Sequence, residues 1–314
     1  MRDKPILVIG GTGHYGSHIV HSLLEKGANV RVLTRNAGKA RKKLGGGPEI
    51  IEGDITSKES VIQSLDGAGG VIISISAFSP KLIRKIELIE RDAVLMVLAE
   101  AEKLGVSRIV YISVYDIKLE LPGDFDFPLR QKLARLKLDV ENALRESKLN
   151  CTILGAPPSM EIFFAMIRGR TMLVPGGGPP ALFNISPVDM GEIAAQAVFR
   201  NDLNGKRFRM TGPEALSFKE AAMRIGQAFA RKIKFRKIPI FFPRLVQIMT
   251  YPIALFSDRF YFINQMINFI RILNHFPKDF IDDIPKEHQT LLDTFDYTPT
   301  TLEQETKGRF GDSM

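Results

Sequence analysis

Cysteine and tryptophan are nearly absent from this sequence, and so are long apolar runs. Cys151 is the single cysteine among 314 residues, so the chain forms no internal disulfide and no cysteine-based zinc site. It lies in a short apolar segment typical of a strand, where a thiol is normally unreactive. No segment has eighteen apolar residues without a charge, and the apolar start of the chain runs directly into glycines, so neither a transmembrane helix nor a signal peptide is predicted. We therefore expect a cytoplasmic protein.

Positive charge is in moderate excess. The 43 Lys and Arg residues against 35 Asp and Glu give a formal charge of +8, and 45% of the chain is hydrophobic, which is the composition of an ordinary globular protein rather than a disordered one. The cations concentrate in residues 35–43 and 206–244. A net positive charge favours binding of anionic ligands, among them phosphates, nucleic acids and lipid headgroups. The charge alone does not indicate which of these binds.

The first half of the chain has the pattern of an α/β protein. Short β-branched runs alternate there with segments of helical periodicity, which predicts βαβ units and a parallel sheet. Longer helices are predicted at residues 81–104 and 129–147. We expect residues 1–155 to form a doubly wound, Rossmann-type domain. Its strands are predicted at residues 6–9, 30–33, 49–52, 71–75, 108–112 and 151–154.

The second half of the chain has a different sequence pattern. A strand at residues 181–185, a helix at residues 191–199 and a strand at residues 207–211 are predicted next, with Asp189 as the helix N-cap, and this stretch is expected to return to the Rossmann domain. Residues 156–180 and 212–314 are expected to form a smaller, mostly helical lobe that covers the substrate. Within this lobe, the sequence that starts at Ser217 has the spacing of a capping box, which marks the beginning of a helix.

A glycine-rich loop follows the first predicted strand. Gly10, Gly13 and Gly16 have the spacing that allows a tight turn, a close approach of the backbone to a pyrophosphate, and close packing of the next helix. The helix that begins at once would direct unpaired N–H groups at the phosphates. Dinucleotide binding is therefore predicted here. The predicted contacts come from Gly10, Thr12, Gly13, His14, Tyr15 and Gly16.

The end of the second strand indicates which dinucleotide binds. NAD-binding domains place an acid about twenty residues after the loop, where it holds the ribose 2′-hydroxyl. This chain instead has Arg35, whose guanidinium can pair with a 2′-phosphate. NADP(H) is therefore favoured over NAD(H). The alternative is that Arg35 is a solvated surface charge.

Polar side chains also follow the later strands. In an open parallel sheet the ligand lies outside the carboxyl ends of the strands. We therefore expect the cofactor to run past Asp54, Ile55, Ser74, Ser76 and Ser113. Asp54 fits two roles equally well, a contact at the adenine edge and the N-cap of the following helix.

These motifs occur in a family-specific order: GGTGHYG, LTRN, GDITSKESVIQSLDGAGGVI, VSRIVYIS, KLDVENALRESKLNCTIL, ISPVDMGEIA and MTGPEALSFKEAA. From residue 5 to about 238, the chain resembles the NmrA-like, atypical branch of the short-chain dehydrogenase/reductases. The resemblance implies a Rossmann fold with a small C-terminal substrate lobe, NADP(H) as cofactor, and either reductase activity or redox sensing. It also implies that Pro157 lies beside the cofactor, although the Arg-Pro pair usual in the family is replaced here by Ala156-Pro157.

The catalytic pair of the larger superfamily is incomplete. Its reductases use a Tyr four residues before a Lys, because the ammonium lowers the pKa of the phenol. The Lys that matches is Lys137, and Leu133 stands where the Tyr would be. At about 100° per residue, Lys137 lies at the edge of an apolar stripe that includes Val140 and Leu144. Lys137 is the candidate catalytic residue, holding the nicotinamide ribose or donating a proton; the alternative is that it extends to solvent.

Two groups of potential metal ligands are interpreted as structural, and no metal site is predicted. His14, His18 and His21 share one helix face without an accompanying carboxylate or cysteine. The second group is interrupted by prolines, and helix caps explain its acids equally well. Its members are His275, Asp279, Asp282, Asp283 and His288.

Residues 240–276 are apolar on more than one face, so a surface helix with a solvated back is not expected. Three environments would bury this segment. The preferred one is the Rossmann domain, where the segment would form a lid over an apolar substrate. The second is another subunit or a protein partner. The least favoured is a membrane interface, assisted by the basic stretch 231–244.

Together these features predict an NADP(H)-dependent oxidoreductase that reduces a small, largely apolar carbonyl, enone or quinone. Two alternatives remain open. The first is a non-catalytic, NADP(H)-sensing regulator that binds a protein partner, which the missing Tyr favours. The second is an accessory subunit of a membrane complex. Cofactor binding and a solvated surface account for the basic residues, so no nucleic-acid partner is expected.

Overall fold

Seven parallel strands form the central sheet of the computed structural model, which describes residues 3–116, 127–179, 181–274 and 284–310. In chain order the strands are β1 (Ile6–Ile9), β2 (Val30–Thr34), β3 (Glu49–Glu52), β4 (Gly70–Ile73), β5 (Ile109–Val114), β6 (Cys151–Ala156), β7 (Ile167–Arg168), β8 (Thr171–Pro175), β9 (Lys206–Arg209) and β10 (Lys234–Ile238). The helices are α1 (His14–Glu25), α2 (Ala37–Leu44), α3 (Lys58–Leu65), α4 (Ala93–Lys103), α5 (Pro128–Glu146), α6 (Glu161–Ala165), α7 (Pro187–Ala197), α8 (Phe218–Ala228), α9 (Phe241–Ala254), α10 (Asp258–Asn274), α11 (Ile284–Thr294) and α12 (Leu302–Phe310).

The central sheet has the strand order β3-β2-β1-β4-β5-β6-β9. The direction of winding reverses between β1 and β4, which opens a crevice at the carboxyl ends of these strands, where sheets of this kind bind ligands. The predicted Rossmann-type fold is confirmed, and the six predicted strands agree with the observed ones to within two residues at each end. β9, which overlaps the strand predicted at residues 207–211, is the seventh strand and pairs with β6.

Both faces of the central sheet are covered by helices. Along β1, Ile6 and Val8 pack on the side of α1 and α7, whereas Leu7 and Ile9 pack on the side of α3, α4 and α5. This alternation follows from the two-residue period of a strand, and burial on both faces explains the continuous apolar runs. A side chain at Gly191 of α7 would clash with the backbone of α1, so a glycine there lets the two helices pack closely.

The helix predicted at residues 81–104 is shorter in the structure. α4 begins at Ala93, after a 3₁₀ turn at Ile83–Lys85 and a π-helical turn at Leu88–Asp92. The π-helical turn includes Glu90, whose buried carboxylate accepts a hydrogen bond from the N–H of Ala77 at 2.6 Å. Hydrophobic periodicity does not distinguish such a single π-helical turn from the α-helical turns around it.

The segment before α7 also departs from the prediction. Residues 181–185 form isolated bridges rather than a strand. Ser186 caps α7, since its Oγ accepts a hydrogen bond from the N–H of Val188 at 3.1 Å, so the predicted N-cap at Asp189 is wrong. Asp189 lies inside the first turn and instead accepts hydrogen bonds from Thr300, at 2.9 Å from its N–H and 2.5 Å from its Oγ1.

The C-terminal part is largely helical, as predicted, but it includes a small sheet with the order β10-β8-β7. α8 opens with the predicted capping box, in which Ser217 and Glu220 each accept a hydrogen bond from the backbone of the other. Phe218 of α8 packs on Phe163 of α6, with ring centroids 5.2 Å apart. The short strands escape prediction because none has a continuous buried apolar run: β7 and β10 are the edges of this sheet, and the central β8 buries only alternate residues.

Helices α9 to α11 occupy two different places. α9 and α10 pack on each other, and α10 places Phe262 and Phe269 against Phe78, with ring centroids 5.4 and 4.8 Å away. α11 packs on the central sheet instead. Phe295 follows the end of α11, and its ring centroid lies 5.3 Å from that of Phe208 of β9. None of the described helices is long and apolar enough to cross a membrane.

Candidate functional site

The loop between β1 and α1 requires glycine for steric reasons. Gly10 has a φ of +85°, and a Cβ there would clash with the carbonyl group of Ser74. A Cβ at Gly16 would clash with the carbonyl group of Gly10, since α1 starts directly against the turn. The predicted glycine positions thus correspond to close backbone contacts between β1, β4 and α1.

The N-terminus of α1 is open to an anion. Gly13 is the N-cap residue and offers no side chain to the first N–H groups, and the first turn of α1 contains no acid. The loop carbonyls are engaged instead: Nζ of Lys43 donates to the carbonyl oxygens of Thr12 and Gly13, at 3.0 and 3.1 Å. Unpaired N–H groups and the helix dipole together favour negative charge at this point.

A polar pocket of about 260 Å³ lies on the β2 side of the loop. It is lined by Arg35, Asp54 and Ile55, as predicted for the adenosine half of a dinucleotide, and also by Thr12. Lys85, which the sequence analysis missed, is a second cation on its wall. No spacing rule indicates Lys85, because a 3₁₀ turn far along the chain carries it to the pocket.

Asp54 is ionised within this pocket. Its Oδ1 accepts hydrogen bonds from the N–H and Oγ1 of Thr56, at 2.9 and 2.8 Å. Partial burial opposes ionisation, but these hydrogen bonds and the charges of Arg35 and Lys85 outweigh it, so the pKa of Asp54 lies below its ordinary value. Ser57 caps α3, so of the two roles considered for Asp54 the N-cap is wrong.

A larger, apolar cleft of about 470 Å³ lies on the other side of the loop. The two pockets share Ser74, Ile75 and Ser76, which follow β4, so they meet at the reversal point of the sheet. The cleft is lined by His14, Tyr15, Ser74, Ile75, Ser76, Glu90, Ile112, Ser113, Val114, Tyr115, Asp116, Arg130, Leu133, Ala134, Lys137, Ala156, Pro157, Pro158, Leu182, Phe183, Asn184, Thr211, Phe269 and Ile284. All the predicted site residues except Gly16 therefore line one pocket or the other, and Gly16 lies under the loop.

Lys137 is on the wall of the cleft and is nearly buried. Its side chain is 6% exposed, and its Nζ lies 2.8 Å from Oε2 of Glu90, which is 2% exposed. Burial alone would lower the pKa of Lys137, but the electrostatic influence of Tyr111 and Glu90 outweighs it and holds the pKa above its ordinary value. Lys137 is therefore a fixed positive charge, an arrangement that suits positioning better than proton donation.

Tyr111 does not replace the phenol missing from the sequence motif. It belongs to β5 and is fully buried, and the Nζ of Lys137 lies 5.0 Å from the centroid of its ring. Burial raises the pKa of Tyr111, and the residue does not line the cleft. A phenol in this position packs beside the ammonium and does not reach a bound substrate.

Arg207 fixes the end of β5, where the cleft begins. Its guanidinium donates to the carbonyl oxygens of Val114 and Tyr115, at 2.8 and 3.1 Å, and its Nε lies 3.1 Å from a carboxylate oxygen of Glu141. Glu141 is buried in α5 and also pairs with Arg145. Arg207 is not indicated by any motif, because its partners are distant in the chain.

The other polar residues singled out in the sequence serve local contacts. The rings of His14 and His18 pack edge to face, 6.3 Å apart, and Nδ1 of His288 lies 3.1 Å from Oγ1 of Thr211. Cys151 is buried in β6, and burial raises the pKa of its thiol. The four remaining candidates lie outside the described residues; they are His275, Asp279, Asp282 and Asp283.

Known proteins share this architecture. A family described as NAD(P)H-binding matches residues 10–198. Photosystem II assembly factor Ycf39 of Trieres chinensis is 25% identical over 248 residues, which cover 77% of this chain and 74% of the relative. The NAD(P)H azoreductase of Xenophilus azovorans is 24% identical over 238 residues, which cover 75% of this chain and 77% of the relative.

Among solved structures, the NADPH-dependent quinone oxidoreductase QOR2 of Escherichia coli, complexed with NADPH, has a TM-score of 0.71 at 17% identity. The match covers 97% of this chain and 99% of that one. At this identity the likeness concerns the fold alone, and it extends over the C-terminal part as well as the Rossmann sheet.

Proposed function

This chain belongs to the NAD(P)H-binding family, and from that premise we propose that it is an NADP(H)-dependent reductase of a small, largely apolar carbonyl, enone or quinone. One observation carries the proposal: the open N-terminus of α1 lies between a polar pocket with two cations and an apolar cleft, and the two pockets join at Ser74 to Ser76. Such a groove suits an extended dinucleotide, with its phosphates at the helix and its nicotinamide in the cleft.

The predicted contacts are distributed along this groove. The adenosine half is assigned to Arg35, Asp54 and Ile55. The pyrophosphate is assigned to the loop and the start of α1, at Gly10, Thr12, Gly13, His14, Tyr15 and Gly16. The nicotinamide half is assigned to Ser74, Ser76, Ser113, Lys137 and Pro157. When bound, the reduced nicotinamide supplies a hydride to the acceptor.

NADP(H) is proposed in preference to NAD(H) because of the charges in the polar pocket. Arg35 and Lys85 both line it, and a 2′-phosphate would meet two cations there. Asp54 is the acid of this pocket, but its carboxylate is already bound to Thr56. The solved relative from Escherichia coli is itself described as NADPH-dependent, which supports the same choice.

The apolar cleft determines the proposed class of acceptor. Side chains such as Ile112, Leu133, Phe183 and Phe269 line it, and Lys137 presents a positive charge on its wall. An acceptor with a flat apolar body and one carbonyl oxygen would bury its body among these side chains. The proton that balances the transferred hydride would come from water at the cleft mouth, because Lys137 holds its own proton.

The test is NADPH oxidation, followed by nicotinamide absorbance, with a panel of quinones, enones and aldehydes. Saturable turnover with apolar acceptors is expected. Leu133→Glu places a charge in the cleft and should raise the KM for the acceptor at least about tenfold while leaving NADPH affinity unchanged. Leu138→Glu is the matched control, since Leu138 lies on the same helix but lines neither pocket.

A non-catalytic, NADP(H)-binding assembly or regulatory factor is the second candidate. The missing Tyr before Lys137 and the relatives described as photosystem II assembly factors favour it. The same experiment separates the two functions: tight NADPH binding without oxidation by any acceptor would support the second and contradict the reductase.

A further inference from the structure

α9 exposes an apolar surface that the reductase proposal does not use. Its largest apolar side chains point outward, with Ile248 and Met249 exposed by 64% and 68% and Phe256, just beyond the helix, by 92%. At about 100° per residue, these and the other exposed apolar positions cover roughly half of the helix circumference. Those positions are Phe241, Phe242, Leu245, Val246, Ile248, Met249, Ile253, Leu255 and Phe256.

The polar face of α9 is turned toward the protein. Gln247 donates to the side chain of Asn268 of α10 at 2.8 Å, and Thr250 accepts a hydrogen bond from Asn264 of α10 at 2.9 Å. Asn264 is 4% exposed, so this network is internal. A surface helix of a globular protein normally has the opposite orientation, with its apolar face buried.

This orientation is fixed by a contact with the Rossmann domain. Arg84 donates to the carbonyl oxygen of Ala254 at 2.7 Å and to that of Leu255 at 3.3 Å, and it pairs with Asp258 at 2.5 Å. The guanidinium therefore closes the C-terminal end of α9 and holds the corner between α9 and α10. These contacts hold the apolar face of α9 in its outward orientation, so its exposure does not result from fraying of the helix end.

The charges on the N-terminal side of this face are of one sign. Residues 231–257 include six Lys and Arg and no Asp or Glu. Four of these cations, Lys232, Lys234, Arg236 and Lys237, lie exposed on or beside β10, directly before α9. Exposed apolar side chains flanked by cations are the combination that binds the surface of an anionic bilayer.

We propose that α9 docks this protein on the surface of an anionic lipid bilayer, with its apolar face in the headgroup–acyl boundary and the β10 cations on the lipid phosphates. At 1.5 Å per residue, the 14 residues of α9 extend roughly 21 Å, less than the bilayer core, so the helix would lie in the plane of the surface. The inference stands apart from the reductase, since it uses no residue of either pocket.

A second copy of the chain fits this surface less well. A convex helix contacts another protein along a narrow strip, whereas lipid can enclose the whole exposed half. Pairing two copies through α9 would also bring two β10 strands of like charge toward each other, which opposes association. An anionic bilayer would both bury the apolar face in lipid and pair the β10 cations with lipid phosphates.

Co-sedimentation of the full chain with vesicles tests the proposal. Binding is expected to mixed phosphatidylcholine–phosphatidylglycerol vesicles, with weaker binding to pure phosphatidylcholine and at high salt. Ile248→Glu combined with Met249→Glu should reduce partitioning at least about tenfold, because both side chains lie on the exposed arc. Met223→Glu is the matched control, since Met223 is 55% exposed but belongs to α8 and not to the apolar face of α9.

Two outcomes would overturn the proposal. One is a failure of the unmodified chain to bind the mixed vesicles, or binding that the double substitution leaves unchanged. The other is a dimer in sedimentation velocity that the double substitution converts to monomer, which would assign the face to a second copy. The double variant should keep the melting temperature of the unmodified protein, because both substituted side chains are already exposed, so loss of membrane binding is separable from loss of fold.

Discussion

Arg35 occupies the position at which an NAD-binding domain carries an acid, and the structure places it on the polar pocket beside Lys85. A guanidinium–phosphate pair contributes about 1.5–3 kcal/mol. Arg35→Ala should therefore weaken NADPH binding by roughly 10- to 100-fold and leave NADH binding nearly unchanged, as measured by fluorescence or calorimetric titration. Lys42→Ala removes an exposed cation of α2 that lines neither pocket and should alter neither affinity. An equal effect of Arg35→Ala on both cofactors would remove the basis for NADP(H) preference.

Lys137 and Glu90 form a buried ion pair whose contribution to stability can be tested with single substitutions. Removing one member of a buried ion pair leaves an uncompensated charge and costs about 3–5 kcal/mol. Lys137→Met should lower the free energy of unfolding by that amount, measured by denaturant titration. Adding Glu90→Gln should restore most of it, because the amide oxygen still accepts the hydrogen bond from Ala77. A double variant as unstable as Lys137→Met alone would show that the unpaired charge of Glu90 does not cause the loss of stability.

Whether sequence reasoning finds a site residue depends on where its partner lies. Gly10, Gly16 and Arg35 follow local rules of turn geometry and strand position, and they line or support the groove as predicted. Lys85 and Arg207 reach the site from segments far along the chain, so no spacing indicates them. The helical wheel puts Lys137 at the edge of an apolar stripe, facing either a cleft or solvent, and the buried carboxylate of Glu90 that pairs with it lies in a π-helical turn that periodicity does not reveal.

At the scale of elements, the contact between β1 and α1 determines how close the phosphate loop lies to the helix. Gly16→Ala would force the start of α1 away from Gly10, since the added Cβ clashes with that carbonyl group. NADPH affinity should fall more than about tenfold, and the melting temperature should fall with it. Gly46→Ala is the control, because a Cβ there meets nothing within 4 Å. Unchanged NADPH affinity in Gly16→Ala would contradict a role of this loop in binding.

Elements of the central sheet were predictable because buried parallel strands have continuous apolar sequences. The elements that were missed lack that property. β7, β8 and β10 form a small sheet at the periphery, and residues 181–185 make only isolated bridges. Of the three environments considered for residues 240–276, the structure packs α10 against Phe78 and the cleft, while α9 keeps its apolar face outward.

At the scale of the whole molecule, the C-terminal segment is attached to the Rossmann domain through Asp189 and Thr300. Burial raises the pKa of Asp189 from 3.8 to about 6. The folded state thus holds this proton more tightly than the unfolded chain does. Protonated Asp189 therefore adds to the free energy of unfolding below about pH 4, and this stabilisation is lost as the pH rises through 6.

Comparison of the unmodified protein with Asp189→Asn should reveal this linkage. The difference between their free energies of unfolding should shift by about 2 kcal/mol against the unmodified protein between pH 4 and pH 6.5. Burial and neighbouring charges lower the pKa of His18 to about 4, but His18 is present in both proteins, so its titration cancels in the difference. A difference that is independent of pH would contradict the raised pKa of Asp189.

We propose that a hydride passes from the cofactor to the acceptor where the polar pocket joins the apolar cleft. Single-turnover mixing of the NADPH-loaded protein with a naphthoquinone, followed by nicotinamide absorbance, tests this claim most directly. We expect oxidation of bound NADPH to be much faster than that of free NADPH, to saturate with acceptor, and to slow when the transferred hydrogen is deuterium. Oxidation of bound NADPH no faster than that of the free cofactor, across the acceptor panel, would contradict it.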